Sequence, residues 1–250
     1  MNSHSDEHVS LGPLNINSML ECYNISPGHG FALSTPSITT FVDPQFQPWI
    51  NAARDLPMLI STHLLRPTID GWPVLSPQCL VSLEEYRLAY VLLGYLVHAY
   101  IWGSHAEEDP LPSIPVCLSV PFLEIVQELE VPVGICFAST ALWNYTTLPD
   151  GREGCVCSFT GTEDEAHFNL TSHRVETAGA TALTSALLAS RLSTAGTAVI
   201  EQVTSHLQEV AQSLSSCKEE LTKMKDGLSP DIFYFNIRPY LVGSLAFISS

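Results

Sequence analysis

The sequence predicts a fold dominated by α-helices: a small N-terminal helical domain with minor β structure, followed by part of a larger helical bundle. Three observations support this fold class. Apolar residues recur at steps of three and four along several segments, and residues that start or end helices flank those segments. The 250 residues are 46% hydrophobic and 14% charged, which is typical of a globular chain with a large apolar core.

Charge and cysteine content limit the classes of function. A net charge of −16 opposes binding to nucleic acid and to anionic membranes, which both require clustered lysine and arginine. Residues 1–10 are polar and offer no export signal, and seven scattered cysteines favour reduced thiols over a disulfide framework. Cys155 and Cys157 are one residue apart, which fits neither zinc nor redox spacing. We therefore expect a cytoplasmic protein that binds neither nucleic acid nor membrane.

The N-terminal part is predicted to be an arm followed by a helix. Residues 11–47 are rich in Pro, Gly, Ser and Thr and show no sustained period, so residues 1–47 are assigned to an extended arm. A helix that ends at Pro67 is predicted next, because apolar residues there recur at helical spacing: Trp49, Ala53, Leu56, Ile60 and Leu64.

A capping box marks the start of the central helix. Ser82 is followed three residues later by Glu85, and an apolar run extends to Trp102. The stretch 88–102 is apolar nearly all round, yet it is shorter than the ~20 residues that cross a bilayer. We predict a buried helix at the centre of the fold.

Two further helices and a linker are predicted after the central helix. The first covers residues 119–129, with Pro121 in its first turn and Pro132 beyond its end, and the second covers residues 136–144. The polar, glycine-containing segment 145–159 is the best candidate for a linker. This boundary predicts a small helical domain at 48–150 and a partial large helical domain at 151–250.

The second domain is predicted to contain two long helices. Residues 172–192 are rich in alanine, and residues 197–225 form a helix closed by Gly227 and Pro230. The second helix carries a heptad seam of Ile200, Val203, Leu207, Val210, Leu214, Cys217, Leu221 and Met224. Packing within the domain and a coiled-coil dimer are both compatible with this seam.

Short motifs follow one another in a fixed order along residues 23–243. They are Tyr23, Ile25, Ser26, Pro27, Gly30 and Phe31; Leu56, Pro57 and Arg66; Ala99, Tyr100, Ile101, Trp102 and Gly103; Asn144 and Tyr145; Phe159, Gly161, Glu165, Phe168, Leu170 and Glu176; and Phe233, Arg238, Pro239 and Gly243. Each motif is weak alone, but in this order they resemble the indoleamine 2,3-dioxygenase family of haem enzymes. The resemblance covers somewhat more than half of a typical family member.

The resemblance implies a binding site for tryptophan. Arg238 would bind the carboxylate of the amino acid, for which a planar guanidinium is well suited. Phe168 and Phe233 would pack against the indole, and Ser172 would place a catalytic hydroxyl near the dioxygen site. Three further residues would line the inner pocket: Phe137, Thr140 and Ala141.

Each of these residues also has a purely structural interpretation. Phe168 and Phe233 could be ordinary core aromatics, since buried aromatic side chains are common. Arg238 could cap a helix or pair with a surface acid, and Ser172 could be a helix N-cap.

The resemblance also implies a cofactor, haem b, and a reaction. In the family, ferrous haem binds dioxygen and adds both oxygen atoms across the indole C2–C3 bond of tryptophan or a related indole, giving an N-formylkynurenine-type product in tryptophan catabolism by the kynurenine pathway. The histidine that holds the iron lies beyond the Arg238 motif in the family, in a region that this sequence lacks. We expect no metal ligand among His98, His167, His173 and His206, which are expected to be core or surface histidines.

Three interpretations follow from that expectation. The chain is a haem dioxygenase whose iron ligand comes from a second chain or from further residues; or it is a truncated, inactive family member that acts as an interaction protein; or the sequence is an incomplete gene model. Without covering helices, the apolar faces of residues 172–192 and 197–225 are predicted to be exposed, and self-association through them is expected.

Overall fold

The computed structural model describes residues 16–103, 110–193 and 199–242. Helices dominate these residues and a single small sheet accompanies them, which confirms the predicted all-α class. No helix among the described residues is long and apolar enough to span a bilayer. Several sequence assignments lie outside the described residues: the first fifteen residues of the arm, the start of the last long helix at Thr197, and Gly243 with the tail 244–250.

The N-terminal segment is not wholly extended. Helix α1 (Ile16–Glu21) and a 3-10 turn at Pro44–Phe46 interrupt it, so the described part of the predicted arm contains local structure. Leu20 is buried, and this burial explains why a short helix forms there. Asp43 caps the 3-10 turn, because its side chain accepts a hydrogen bond from the Gln45 N–H at 2.9 Å.

The first predicted helix is divided into three, so that prediction was wrong. They are α2 (Gln47–Arg54), α3 (Leu56–Ser61) and α4 (Leu65–Asp70). Pro57 lies in the first turn of α3, where a residue without an N–H cannot continue α2. Pro67 lies inside α4 instead of ending a helix. The apolar residues still face the core, except Leu64, which is exposed.

Helix α5 (Leu83–Trp102) is the predicted central helix, and almost all of it is buried. The predicted capping box is present, since the Ser82 hydroxyl accepts the Glu85 N–H at 3.3 Å. The buried Glu85 carboxylate also accepts N–H groups from Val42 at 2.6 Å and Val81 at 2.8 Å. One side chain therefore starts the helix and ties the N-terminal segment to it.

His98 joins α5 to two distant segments. Its Nε2 accepts the Ile135 N–H at 3.0 Å, which requires the proton to be on Nδ1, and Nδ1 donates to the Tyr240 carbonyl at 2.8 Å. Burial lowers the pKa of His98, and the hydrogen bond to Tyr240 opposes this shift. His98 is thus a buried, neutral histidine with both nitrogens in use.

Helix α6 (Val116–Leu129) and the turn after it differ from the predicted bounds. The helix begins three residues early at Val116, so Pro121 lies inside it, and it ends at Leu129 as predicted. Glu130 closes the helix in the left-handed region, with φ of 53°. The predicted helix at 136–144 is only a single π-type turn, Ala138–Leu142.

The predicted linker at 145–159 contains a β-hairpin. Strands β1 (Tyr145–Thr147) and β2 (Glu153–Cys155) pair antiparallel, with Tyr145 opposite Cys155. The turn between them uses Gly151 at φ of 84°, a conformation that favours glycine. The polar composition that indicated a linker belongs to this turn. The division into domains at this point stays a prediction.

Helix α7 (Glu163–Leu192) begins nine residues before the predicted start of the alanine-rich segment. Its N-cap is Thr162, whose side chain accepts the Glu165 N–H at 3.2 Å. Helix α8 (Ile200–Thr222) packs on α7, where the Ser213 hydroxyl donates to the Ala178 carbonyl at 2.7 Å. Two short helices follow, α9 (Met224–Gly227) and α10 (Pro230–Ile232).

The heptad seam of α8 is divided between two environments. Val203, Val210, Cys217 and Met224 are half-buried, and Cys217 contacts the Val175 carbonyl of α7. The alternate positions form a second row that is 55–58% exposed: Ile200, Leu207, Leu214 and Leu221. We call these four residues the α8 apolar row. Its exposure confirms the predicted uncovered apolar surface on this helix.

The two buried histidines predict a pH-dependent stability. Burial lowers the pKa of His98 and of His173 from 6.5, so below about pH 6.5 the unfolded chain binds these protons more readily than the folded chain. The free energy of unfolding is therefore expected to fall as pH drops from about 6.5 toward the folded pKa values. Urea denaturation between pH 8 and pH 5 measures this slope.

The substitution His98→Gln removes one of the two proton-binding groups and should make that slope shallower. The substitution His206→Gln on α8 is the matched control, because His206 lies outside the core. A slope unchanged by His98→Gln would contradict the role given to this side chain.

Candidate functional site

Two aromatic rings expected to bind an indole are in contact. Phe168, in the second turn of α7, and Phe233, after α10, have ring centroids 5.2 Å apart at an interplanar angle of 47°. Both side chains are half-buried, so each ring keeps an accessible part. A tilted aromatic pair of this kind can continue its packing onto a third aromatic ring.

The start of α7 holds the segment that carries Phe233. The Asp164 carboxylate accepts the Ser229 N–H at 2.6 Å, and His167 bonds through Nε2 to the Lys223 carbonyl at 2.9 Å. Gly227 lies directly against the His167 ring, where a Cβ would be only 2.7 Å from Nδ1. Three contacts around Phe168 therefore fix the position of Phe233.

Arg238 lies on the surface five residues after Phe233. Its guanidinium carbon lies 4.9 Å from the centroid of the Tyr234 ring, a cation–π contact. Among the described residues it makes no ion pair with a carboxylate, so the alternative of a surface salt bridge is not what the structure shows. Its donors are available to an external carboxylate.

Ser172 lies one turn after Phe168 on α7. Its hydroxyl donates to the Phe168 carbonyl at 2.9 Å, which leaves the oxygen lone pairs as acceptors. The alternative that Ser172 is an N-cap is wrong, because it lies inside the helix and Thr162 is the cap. Its side chain is half-buried.

The turn expected to line the inner pocket docks on α7 through His173. The Ala141 carbonyl accepts a hydrogen bond from His173 Nδ1 at 3.1 Å, and Ala141 is buried. The Tyr145 ring stacks on the other side of His173, with centroids 4.2 Å apart. Burial lowers the pKa of His173, which favours the neutral ring that this stack holds.

The other two residues expected on this turn are placed less closely. Thr140 donates to the Cys136 carbonyl at 3.2 Å within its own turn. Phe137 is 51% exposed, and among the described rings it contacts neither Phe168 nor Phe233. The structure thus brings Phe168 and Phe233 together, places Ser172 one turn after Phe168 on the same helix, docks Ala141 on His173 of that helix, and leaves Phe137 apart.

The described histidines have protein partners. His98 uses both ring nitrogens, His167 and His173 bond to backbone carbonyls, and His206 lies 3.2 Å from a Glu209 oxygen. Over residues 16–103, 110–193 and 199–242, no group of three or more His, Cys, Asp or Glu side chains is arranged to hold a metal ion.

Sequence reasoning missed how distant motifs meet. The Glu176 carboxylate of α7 accepts the Phe31 N–H at 3.1 Å, and Gly30, at φ of 64°, packs on Glu176 with no room for a Cβ. Arg66 donates to the Tyr100 carbonyl at 3.0 Å, at the end of α5. These pairs join residues that were recognised only as separate motifs, and spacing along the chain gives no signal for such contacts.

Comparison with known proteins agrees with these motifs. The family profile described as "Indoleamine 2,3-dioxygenase" matches residues 19–247. The chain is similar to the indoleamine 2,3-dioxygenase of Saccharomyces cerevisiae, with 34% identity in an alignment 239 residues long that covers 90% of this chain and 52% of that protein. It is also similar to human indoleamine 2,3-dioxygenase 2, with 31% identity over 90% of this chain and 55% of that protein. The chain spans about half the length of the curated relatives it matches.

The close approach of Gly227 to His167 gives a prediction for the aromatic pair. The substitution Gly227→Ala places a methyl group 2.7 Å from the His167 ring, so either this ring or the segment carrying Phe233 must shift. We expect a loss of roughly 1–3 kcal/mol in the free energy of unfolding. Denaturant unfolding measures this loss.

Gly71→Ala is the matched control, since nothing lies within 4 Å of the added methyl group there. Equal stability of the two variants would show that Gly227 is not needed for the position of Phe233.

Proposed function

The chain belongs to the indoleamine 2,3-dioxygenase family, and from this membership we propose that it forms the substrate-binding wall of a haem-dependent dioxygenase. The substrate is tryptophan or a related indole, and the product is of the N-formylkynurenine type. The observation that carries the proposal is the Phe168–Phe233 pair with Arg238 five residues further along, its guanidinium without a protein carboxylate.

Arg238 and the aromatic pair recognise different parts of the amino acid. The accessible parts of Phe168 and Phe233 offer an apolar wall for the indole ring. Arg238 supplies parallel charge-assisted hydrogen bonds to the carboxylate, which fix orientation as well as affinity. Stacking on Tyr234 limits the motion of the guanidinium and reduces the entropy lost on binding.

Ser172 and the neighbouring turn are assigned supporting roles. The Ser172 oxygen keeps its lone pairs because its proton is donated to the Phe168 carbonyl, so it acts as an acceptor for a substrate N–H. Ala141 docks its turn on α7 through the contact with His173, and Thr140 and Phe137 are assigned to the same turn at the edge of the wall.

Haem b is the cofactor that family membership implies, and when bound it supplies the iron that carries dioxygen. We infer that the described residues do not supply its axial ligand, because His98 uses both ring nitrogens, His167 uses Nε2 in its bond to the Lys223 carbonyl, and His173 is buried against the Tyr145 ring. The part of this chain is to bind and orient the amino acid, and the axial imidazole comes from outside the described residues. The seven free cysteines support a reducing, cytoplasmic location.

Comparing L-tryptophan with tryptamine tests this proposal. Tryptamine lacks the carboxylate, so the purified chain is expected to bind it about 10–100-fold more weakly, the range for a charge-assisted pair. Arg238→Gln should weaken tryptophan binding by a similar factor and abolish the preference over tryptamine. Titration calorimetry gives all four affinities.

Arg152→Gln is the matched control, since Arg152 is an exposed arginine paired with Asp150. If the preference for tryptophan survived in Arg238→Gln, the carboxylate would bind elsewhere. The haem-dependent part is tested in a protein that includes the residues proposed to supply the axial imidazole: a Soret band that appears on haem addition and shifts with carbon monoxide would support it, and a colourless protein would refute it.

The α8 apolar row favours a second candidate, an interaction protein that self-associates. Leu207 and Leu214 are exposed by 55% and 58%, and like the rest of the row they repeat every seven residues, so the row lies along one face of the helix. Two copies that paired along this row would remove four apolar side chains per chain from water.

Light scattering tests the second candidate. The wild-type chain is expected to have at least twice the monomer mass, and Leu207→Glu with Leu214→Glu should return it to the monomer because charge cannot be buried in the seam. Leu64→Glu is the matched control, since Leu64 is similarly exposed on a different helix. A monomeric wild-type chain would rule out self-association.

A further inference from the structure

A cleft of about 740 Å³ lies away from the aromatic pair. It is formed by the N-terminal segment 24–34, the start of α5, the end of α6 and Trp143. None of Phe168, Ser172, Phe233 and Arg238 lines it. Its volume lies in the range of small-molecule binding sites.

The walls of this cleft combine apolar and polar side chains, with apolar area in excess. Trp143, Leu129 and Val131 are half-buried in it, and Phe31 and Leu83 are 44% and 47% exposed at its edge. Covering large apolar side chains that are partly in water lowers the free energy of the complex, so it favours ligand binding. The cleft therefore favours a ligand with an apolar body.

Arg87 provides a positive charge in the cleft. Its guanidinium lies 5.3 Å from the centroid of the Trp143 ring, and its Nε is buried without a hydrogen-bond partner. It makes no ion pair with another described residue, although Glu84 is near enough to interact electrostatically. A guanidinium that has no carboxylate partner in the protein is a suitable donor for a ligand carboxylate.

Helix ends reinforce a separation of charge across the cleft. Arg87 lies near the N-terminus of α5, where the helix dipole is positive. Glu128 and Glu130 lie at the C-terminus of α6, where the dipole is negative, and both carboxylates are exposed. A simple anion would be repelled by these acids, while a molecule with both charges has a favourable partner for each.

We propose that this cleft binds a zwitterion with an apolar body, either a free apolar amino acid or a dipeptide of such residues. Its carboxylate bonds to Arg87, its ammonium group lies toward Glu128 and Glu130 at the end of α6, and its side chain packs on Trp143. This site is separate from the Arg238 site and does not depend on the proposed function.

Titration calorimetry with four probes tests the site. L-phenylalanine and L-leucyl-L-leucine carry both charges, 3-phenylpropionate lacks the ammonium group, and phenethylamine lacks the carboxylate. At least one zwitterion is expected to bind, with each single-charge analogue weaker than L-phenylalanine by about tenfold or more, equivalent to ~1.4 kcal/mol. Whichever of the two zwitterions binds with the higher affinity shows whether the cleft prefers a free amino acid or a dipeptide.

Substitutions locate the binding. Arg87→Gln should weaken the zwitterion by about tenfold or more, with Arg87→Lys intermediate because it keeps the charge without the planar fork. Because Arg87 packs on Trp143, its loss could also affect folding. The thermal unfolding midpoint of Arg87→Gln is therefore compared with that of the wild-type chain. Glu130→Gln is a second variant at an exposed position, and it should weaken the zwitterion but not 3-phenylpropionate.

Arg238→Gln separates this site from the proposed substrate site. Binding that is retained in Arg238→Gln and reduced in Arg87→Gln and Glu130→Gln supports the proposal. It is overturned if no zwitterion binds, if folded Arg87→Gln and Glu130→Gln both bind as wild type, or if only Arg238→Gln loses the ligand. These outcomes do not depend on the tryptophan experiment: if Arg238 proved not to bind the tryptophan carboxylate, the results expected for Arg87→Gln and Glu130→Gln would be the same.

Discussion

The buried polar side chains of α5 are the constraint on which the rest of the structure depends. A helix buried on nearly all sides must find partners for most of the polar groups that it carries, because an unpaired group in the core is costly. Glu85, Tyr90, Tyr95 and His98 do so by bonding to four separate parts of the chain: the N-terminal segment, the loop after α6, Asn144 and Tyr240. The helix thereby fixes where those segments lie.

The first turns of α7 connect the candidate site to the core around α5. The buried Glu165 carboxylate accepts the Phe159 N–H at 2.9 Å and the Thr160 N–H at 2.7 Å, and the Phe159 ring stacks on Tyr95 of α5. From this anchored start, Asp164 and His167 bond to the segment that carries Phe233. The position of the Phe168–Phe233 pair therefore depends on contacts that begin in the core of the protein.

The sequence predicted correctly some features that depend only on residues close together along the chain, such as the start and the burial of α5. The Ser82–Glu85 capping box and the apolar run after it gave α5 correctly. The equivalent pair at Thr162 and Glu165 was missed, because polar residues follow it and no apolar period marks a helix start. Arg238 and the aromatic pair were recognised by resemblance, but their geometry depends on contacts such as that of Gly227 with His167, which join residues far apart along the chain. Arg87 carried no signal, since its role arises only where α5 and α6 meet Trp143.

The one-sided packing of α8 affects how stability is distributed. Its side chains meet α7 on one face, and Ser213 is its one buried residue among those the structure describes. A helix with so little burial can detach without disrupting the contacts of α5, so its opening free energy lies well below that of global unfolding. Amide hydrogens in α8 therefore exchange with solvent through local opening, while those in the middle of α5 exchange only through global unfolding.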